Sequence, residues 1–473
     1  MLGLGLNIFG RAPQGTAPGF DVFLIAGQSN NLAGTGLDTE IDVSHPDVFQ
    51  WGREAPNNNV IILADEPLDH VVLEAGKIGY ALAMIRDYYI PNAHLAAVRD
   101  VLLIPTALSA SGFADNRWNA GDDLYEDAVL RVNTAIDGNP GSVLKGILWH
   151  QGEDDVGSAT YLDALDAMIA AMRSDIVAAS ATTPFILGGM VPFWVDAATD
   201  RRVQQGRIHG TLKRLTYTGF ADPELPTVIE KAVPATDSTH YDAPTQRELA
   251  ERYYNAWLAA QSNDDISAPS YSFDTDLVGY WRFETGSFED RAGSNDPTVT
   301  GSPVLTFDTT YNEIVYSADG GDYLETSLQL PNSYTKSIWV KMNAGGGSRN
   351  IMSSKTGAAD QHFLYHDSSA AHFAAGHQNN FTQIVSSFSP SNDTWYHLAV
   401  TYDEASSTLT LYIDGSEEDQ VTDATVGGSG FRDVAMATIS GGSTFTGELR
   451  HARIYDRALT AAEVLEVYNT ENG

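Results

Sequence analysis

Apolar and polar positions follow two different rhythms along this chain, and the change falls near residue 277. Before it, short unbroken apolar runs alternate with stretches of helical spacing. Phe23 to Ala26 is such a run, stopped by Gly27, and it reads as a core strand of a parallel sheet ending in a tight turn. Ile78, Leu82 and Ile85 predict a helix over 74–89, and VRDVLLIPTAL (98–108) is a second buried strand. A helix over 124–137, a strand in VLKGILWHQG (143–152) and a strand from 184 in PFILGGMV follow the same alternation. Between those two strands lies a helix over 161–179, with Leu162, Leu165, Ile169, Met172 and Ile176 on one face. Strands taking turns with helices imply right-handed crossovers and a mostly parallel sheet covered on both sides.

APTQRELAERYYNAWLAA (243–260) then predicts a helix, with Pro244 in its first turn, Leu249, Tyr253 and Trp257 at i, i+4 spacing, and Asp242 placed to cap it. QSNDDISAPSYSFDTD (261–276) reads as a linker. From Leu277 onward, short runs of Tyr, Trp, Val, Ile and Thr lie between Gly, Ser, Asn and Asp clusters, the spacing of a β-sandwich. Trp281, Trp395 and Tyr412 are core candidates, Asp414 and Gly415 make a hairpin turn, and Thr460 with Glu463 forms a capping box that predicts a short closing helix.

The candidate chemistry sits at the ends of strands. Gly27 is followed by Gln28, Ser29 and Asn30, so Ser29 is presented at the carboxyl end of a parallel strand, where open α/β sheets bind ligands. A serine there also serves as an ordinary cap or turn residue. What distinguishes it is DSTHYDAP (237–244), where Asp237 stands three residues before His240. A serine nucleophile needs a base for its proton and a carboxylate to orient the base, and Ser29, His240 and Asp237 supply one of each.

The GQSN turn at 27–30, the WHQGEDD run at 149–155 and the DSTHYD run at 237–242 together resemble the SGNH hydrolase superfamily. The nearest branch is the sialate O-acetylesterase-like and acetylxylan-esterase-like carbohydrate deacetylases. The resemblance covers roughly residues 20–260. It implies an α/β/α flavodoxin-like domain in which Ser29 is nucleophile, His240 base and Asp237 orienting acid. The oxyanion hole it implies is formed by the backbone N–H groups of Ser29 and Ala110 with the Gln151 side-chain amide. Here the chain departs from the pattern, because SASGF (109–113) puts Ser109 and Ala110 where two glycines are expected. A left-handed backbone at Ala110 would cost about 1 kcal/mol or more. Gln28, Asn30, Gly112, Trp118 and Glu153 are supporting or substrate-binding candidates. Trp118 and Trp194 read as walls of a sugar pocket or, at least equally well, as buried filler, and Glu153 reads as orienting the active-site loops or as a surface carboxylate.

The second half, through LVGYWRFE (277–284), DTWYHLAVTYDEASSTLTLYIDGS (393–416) and GELRHARIYDRALTAAEVLEVYN (447–469), resembles the LamG-like, concanavalin A-type jelly roll. Such domains bind glycans or only space and assemble. Loops over 343–350 and 361–380, with exposed-looking Asn, Arg, His and Phe, are where a glycan would meet it. The expected division is a leader or attachment segment at 1–20, an esterase domain at 21–262, a linker at 263–276 and a jelly roll at 277–473.

Composition narrows the partners. Sixty-two acidic against 27 basic residues give a net charge of −35, which repels nucleic acid and anionic membranes. The apolar start of residues 1–20 is too short to span a membrane and lacks the basic region of a signal peptide. With no cysteine, neither disulfides nor thiolate metal sites are available. His150 and Glu153 form an HxxE pair with no further ligand at a sensible spacing, so no metal is expected in catalysis. No DxDxDG loop supports calcium in the jelly roll. GxSxG, P-loop, HExxH and dinucleotide signatures are absent. The expectation is a cofactor-independent serine esterase acting on an acetylated carbohydrate, in an extracellular or phage-virion setting. The rival reading is a non-catalytic glycan-binding or adhesion protein that uses the hydrolase fold as a scaffold. A lipase-type or thioesterase member of the superfamily is a third.

Overall fold

The computed structural model describes residues 18–472 apart from 93–98, 232–236, 267–270, 309, 312, 344–348, 356–360, 368–370, 378–381, 388, 423, 425–431 and 440. The expected leader, 1–20, lies almost entirely outside the described residues. The chain divides into two compact units. One runs up to Val195 and resumes over Leu215–Asp265, and the other joins Asp196–Arg214 to the residues from Ile266 onward.

The first unit is built on a seven-stranded sheet whose middle strand is Phe20–Gly27. This strand pairs in parallel with Asp100–Pro105 on one side and Val143–His150 on the other. Beyond Asp100–Pro105 come Val48–Trp51, in parallel, and an antiparallel edge strand, Ile61–Leu63. Beyond Val143–His150 come Phe185–Gly188 and Thr218–Ala221, both parallel. Val22 to Ala26 are completely buried, as an unbroken apolar run must be when neighbours flank the strand and helices cover both faces. The chain leaves this strand toward one side of the sheet first and reaches the other side later. The carboxyl end of Phe20–Gly27 is therefore a topological switch point, where a crevice opens for a ligand.

Helices form at Asp123–Asp137, Tyr161–Asp175 and Ala243–Ala260. Asp242 caps the last of these in a reciprocal box with Thr245. Two expectations change. The helix expected over 74–89 starts later and covers 81–92, with a π turn at Met84–Tyr89. Its predicted first two turns hold Gly76 and Gly79, poor helix formers, and Lys77–Ile78 instead pairs with Gly34–Thr35. The helix expected over 161–179 stops at Asp175 because Ile176 turns extended and the Val177 N–H is taken by Asn133 Oδ1 at 2.9 Å. The short strands at 48–51, 61–63 and 218–221 and a helix at Thr199–His209 carry too few periodic positions to stand out in the sequence. Among the described residues no helix is long and apolar enough to cross a membrane.

The strands of the second unit pair antiparallel throughout: an eight-stranded sheet, centred on Thr446–Tyr455 and Tyr334–Met342, and two four-stranded sheets. Trp281, Phe283, Tyr316, Ile338, Leu398, Leu411 and Leu449 meet in its core. Trp395 and Tyr412 are buried, Asp414 and Gly415 take left-handed φ of 49° and 74° between paired strands, and Thr460 and Glu463 cap the helix Ala461–Glu471. The stretches expected as glycan-facing loops are in large part strands, Arg349–Asn350, His362–Asp367 and His372–His377. Arg349, Asn350, His362, Phe363, Phe373 and His377 are buried, adjacent pairs included, so both faces of these strands are covered. The Thr199–His209 helix belongs to this unit, where Gly206 lies against Leu305 and Gly210 against the Thr285 backbone.

Candidate active site

The site begins where Phe20–Gly27 runs out. Gly27 has φ +113°, and a Cβ there would lie 2.2 Å from the His150 carbonyl oxygen, so only glycine lets the two neighbouring strand ends close together. The Gln28 N–H donates to that carbonyl at 2.8 Å, and Ser29–Asn31 folds into one 3₁₀ turn. Ser29 is held at the head of the turn, its carbonyl accepting from the N–H groups of Leu32 and Ala33.

Ser29 Oγ lies 2.9 Å from His240 Nε2, and His240 Nδ1 lies 2.8 Å from Asp237 Oδ2. With Nδ1 donating to the carboxylate, Nε2 is left as acceptor for the serine proton. The other Asp237 oxygen accepts from the N–H groups of Thr239 and His240, which shapes the loop. Burial alone would raise the Asp237 carboxyl, but the hydrogen bond and charge of His240 and these two N–H groups outweigh it and hold it below its ordinary value. The structure thus brings Ser29 to the Asp237–His240 pair across 211 positions of the chain.

The loop expected to carry an oxyanion donor lies alongside. Leu108 N–H donates to the Gly27 carbonyl at 3.0 Å, so SASGF leaves the sheet beside the nucleophile turn. Ala110 is exposed and has φ +52°, the left-handed backbone that glycine adopts without cost. Replacing it should therefore help: Ala110→Gly is expected to gain about 0.5 kcal/mol in stability, after the extra freedom of the unfolded chain is subtracted, read as a small rise in Tm.

Asp155 fixes this loop. Its buried carboxylate accepts from the N–H groups of Phe113 and Ala114, each at 2.9 Å, and from Gln151 Nε2 at 2.6 Å. Gly112 is required by the same approach, since a Cβ there would meet Asp155 Oδ2 at 2.5 Å. Asp155 has no role in the sequence reading, although it ends the WHQGEDD run four residues after Gln151. Gln151 is fully buried, and one hydrogen of its amide goes to Asp155, so it braces this loop. Trp118 is also fully buried. Its Nε1 donates to Ser111 Oγ at 2.9 Å and its ring packs edge-on against Trp149, which makes it part of the loop's foundation and not a sugar-pocket wall. Trp194 is half-buried against the core of this unit.

Asn30 knits the three motifs together. Its Nδ2 donates to Glu153 Oε1 at 2.5 Å and to the Thr239 carbonyl at 3.1 Å, and its Oδ1 accepts from the Tyr241 N–H at 3.0 Å. Both chain neighbours of His240 are thereby tied to the residue after Ser29. Glu153 is a buried carboxylate rather than a surface one. Burial pushes it up, yet the His150 ring, 3.6 Å away, and the Asn30 amide bring it below its ordinary value. His150 Nδ1 lies 3.1 Å from the Tyr253 hydroxyl, so this histidine bonds within the core. Gln28 supports the neighbouring turn, its Oε1 accepting from the Asp154 N–H at 3.3 Å. Tyr241, also without a role in the sequence reading, donates its hydroxyl to the Gly189 carbonyl at 2.9 Å. Among the described residues no group of three or more His, Cys, Asp or Glu is placed to hold a metal ion.

Comparison with known proteins matches residues 19–259 to a family model described as carbohydrate esterase, sialic acid-specific acetylesterase. Residues 317–465 match one described as the concanavalin A-like lectin/glucanases superfamily. A "probable carbohydrate esterase" of Arabidopsis thaliana is 29% identical over 181 residues, which is 34% of this chain and 66% of that protein. The chain thus spans just under two thirds of the length of this curated relative. Among solved structures, NanS aligns over 52% of this chain and 98% of its own, with a TM-score of 0.44 and 19% identity. Domain 4 of the extracellular GH43 arabinanase AbnA from Geobacillus stearothermophilus, in complex with arabinotriose, aligns over 41% of this chain and 98% of its own, with a TM-score of 0.35 and 18% identity.

Proposed function

Because the chain belongs to the carbohydrate esterase, sialic acid-specific acetylesterase family, we propose that it is a serine esterase that removes O-acetyl groups from a carbohydrate, a polysaccharide or a sialic acid-type glycan. The observation that carries the proposal is the continuous hydrogen-bonded line Ser29 Oγ, His240 Nε2, His240 Nδ1, Asp237 Oδ2, with steps of 2.9 and 2.8 Å at the end of the central strand. Ser29 Oγ attacks the acetyl carbonyl as its proton passes to His240 Nε2. The imidazolium, steadied by Asp237, gives that proton to the departing sugar oxygen. Water then enters by the same route and releases acetate from Ser29. The N–H groups of Ser29 and Ala110 receive the oxyanion, a role for which backbone donors suffice.

In this mechanism Asp155 acts through the loop it holds. Asp155→Ala strands the buried N–H groups of Phe113 and Ala114 and the Gln151 amide. It should cost about 3 kcal/mol in stability and lower kcat about 100-fold, with both measured on the same preparation. The jelly roll would keep the enzyme on its polymer and raise the local substrate concentration. An extracellular or virion setting belongs to the same reading and is tested by looking for the chain in culture medium and in purified virions.

The decisive experiment follows acetate release from a panel of acetylated polysaccharides and sialosides, beside a chain-length series of nitrophenyl esters. Sharp preference for acetyl is the expected result, and the panel names the glycan. Preference for long acyl groups would replace the reading with a lipase-type activity. A chain that is inert yet retained by glycans would replace it with the adhesion reading.

A further inference from the structure

Lys231 is not part of any motif, and its ammonium is aimed at the loop that carries the acid and the base. Its Nζ donates to the backbone carbonyl of Asp237 and, at 2.8 Å, to that of His240. One cation therefore gathers both ends of the Asp-x-x-His segment. The segment has no regular structure of its own, only bends between 238 and 240.

Its two ends are otherwise fixed unequally. After His240, the Tyr241 N–H is held by Asn30, the Tyr241 hydroxyl by Gly189, and Asp242 caps the helix Ala243–Ala260. Before His240, Asn30 reaches the Thr239 carbonyl, while Asp237 bonds its carboxylate back to Thr239 and His240 within the loop. Among the described residues, Asp237 is tied to a residue outside 237–240 by the bond from Lys231. Lys231 is itself anchored, since Ile229 two residues earlier is buried in the core of this unit and donates its N–H to the Pro223 carbonyl at 2.7 Å.

We infer that Lys231 is a positioning residue of this site: its ammonium, by bonding the carbonyls of Asp237 and His240 together, sets the Asp237–His240 hydrogen bond and through it the direction of His240 Nε2 toward Ser29. The inference rests on the esterase reading for its catalytic consequence but not for its geometry. Charge-assisted bonds to two carbonyls restrain the loop more tightly than neutral contacts would, and a displacement of about 1 Å at a reacting group can cost about 100-fold in rate.

The test compares the whole chain with Lys231→Met and Lys231→Ala by two readouts. Proton NMR follows the low-field resonance of the His240 Nδ1 proton, which does not depend on any substrate. Steady-state kinetics on nitrophenyl acetate follow kcat and KM. The resonance should be present in the parent and broadened or lost in both variants, with kcat lowered about 10- to 100-fold and KM nearly unchanged. Propylammonium, which replaces the atoms removed in Lys231→Ala, should restore part of kcat and the resonance. Tetramethylammonium, a cation without N–H donors, should restore neither. A merely structural loss of stability would not respond to one ammonium and ignore the other. If Lys231→Met is too unstable to purify, Lys231→Ala folded with propylammonium carries the comparison as the salt is removed. Unchanged resonance and unchanged kcat in a folded variant would overturn the inference. A parent inert toward esters whose resonance still depends on Lys231 would overturn the esterase reading and leave the positioning role standing.

Discussion

Ser29→Ala is expected to lower kcat for acetate release by about 10,000-fold or more while KM changes little, because the bond made to the acetyl carbon has no substitute. Residual hydrolysis above that in water should survive, since the N–H groups of the turn and loop remain to receive the oxyanion. His240→Ala should fall by a similar factor. The double variant should be no slower than either single one, because a nucleophile and its base act as a unit. Rates that multiply in the double variant would mean that the two residues act separately, despite the 2.9 Å between Ser29 Oγ and His240 Nε2. A fall confined to KM would assign Ser29 to binding. Each rate should be accompanied by a melting curve, so that lost folding is not counted as lost chemistry.

The second large effect is acid destabilisation of the second unit. Burial pushes His377 down to about 3 and His397 to about 4, holds His362 well below its ordinary value, and pushes His209 to about 3. Each is neutral in the folded chain and gains a proton on unfolding below about pH 6.5. Their folded pKa values are depressed, so their contribution is fully present above the unfolded value and is lost as pH falls toward the folded one. One such histidine costs about 2 kcal/mol between pH 6.5 and about pH 5. Lys336, also fully buried, is pushed well below its ordinary value by burial, so its effect has the same sign: the fold is weakened as pH falls from the unfolded lysine value toward the folded one. His451 does not offset the loss in acid. Its pKa is raised, so it is protonated in both states there.

His377 offers a single-site check. Its Nε2 is 2.8 Å from the Tyr334 hydroxyl, and glutamine can fill that place without a titrating group. In denaturant titrations at the two pH values, His377→Gln should lose about 2 kcal/mol less than the parent on acidification. Equal losses in the two chains would show that His377 is not titrating on unfolding.

Much of this organisation is legible before any fold is seen. The strand at 20–27, the helices at 123–137 and 243–260, and the closing helix with its Thr460–Glu463 box carry their own periodicity, stops and caps. Elements without such local signals are the ones missed. Four-residue strands at 48–51 and 218–221 owe their existence to the neighbours they pair with. The stretches at 343–350 and 361–380 mislead for a related reason. Histidine, arginine and asparagine look like surface residues, but Arg349, His362 and His377 are buried in the assembled unit, where Arg349 bonds the Asn343 carbonyl, His362 meets Lys336 and His377 meets the Tyr334 hydroxyl.

The site divides in the same way. Motif chemistry singles out Ser29, His240 and Asp237, because a nucleophile, base and orienting carboxylate are residue types with few substitutes. Gln151 and Trp118 were also singled out by position in a motif, and folding put both beneath the surface, where they brace the 109–114 loop through Asp155 and Ser111. Asp155 and Lys231 act on backbone groups, which every residue carries, so nothing in the sequence marks their targets.

By itself the sequence determined the two-rhythm organisation, the family of the first half, and the residue types able to perform ester hydrolysis, since each depends on short-range pattern or on side-chain chemistry. The tertiary structure decided which candidates meet. The Ser29 to His240 approach spans 211 positions, and the buried surroundings of Glu153 and of His377 and His397 likewise depend on residues far from them in the chain, Asn30, Tyr334 and Ser337. Burial and hydrogen-bond partnership are properties of that assembled neighbourhood, and no local stretch contains them.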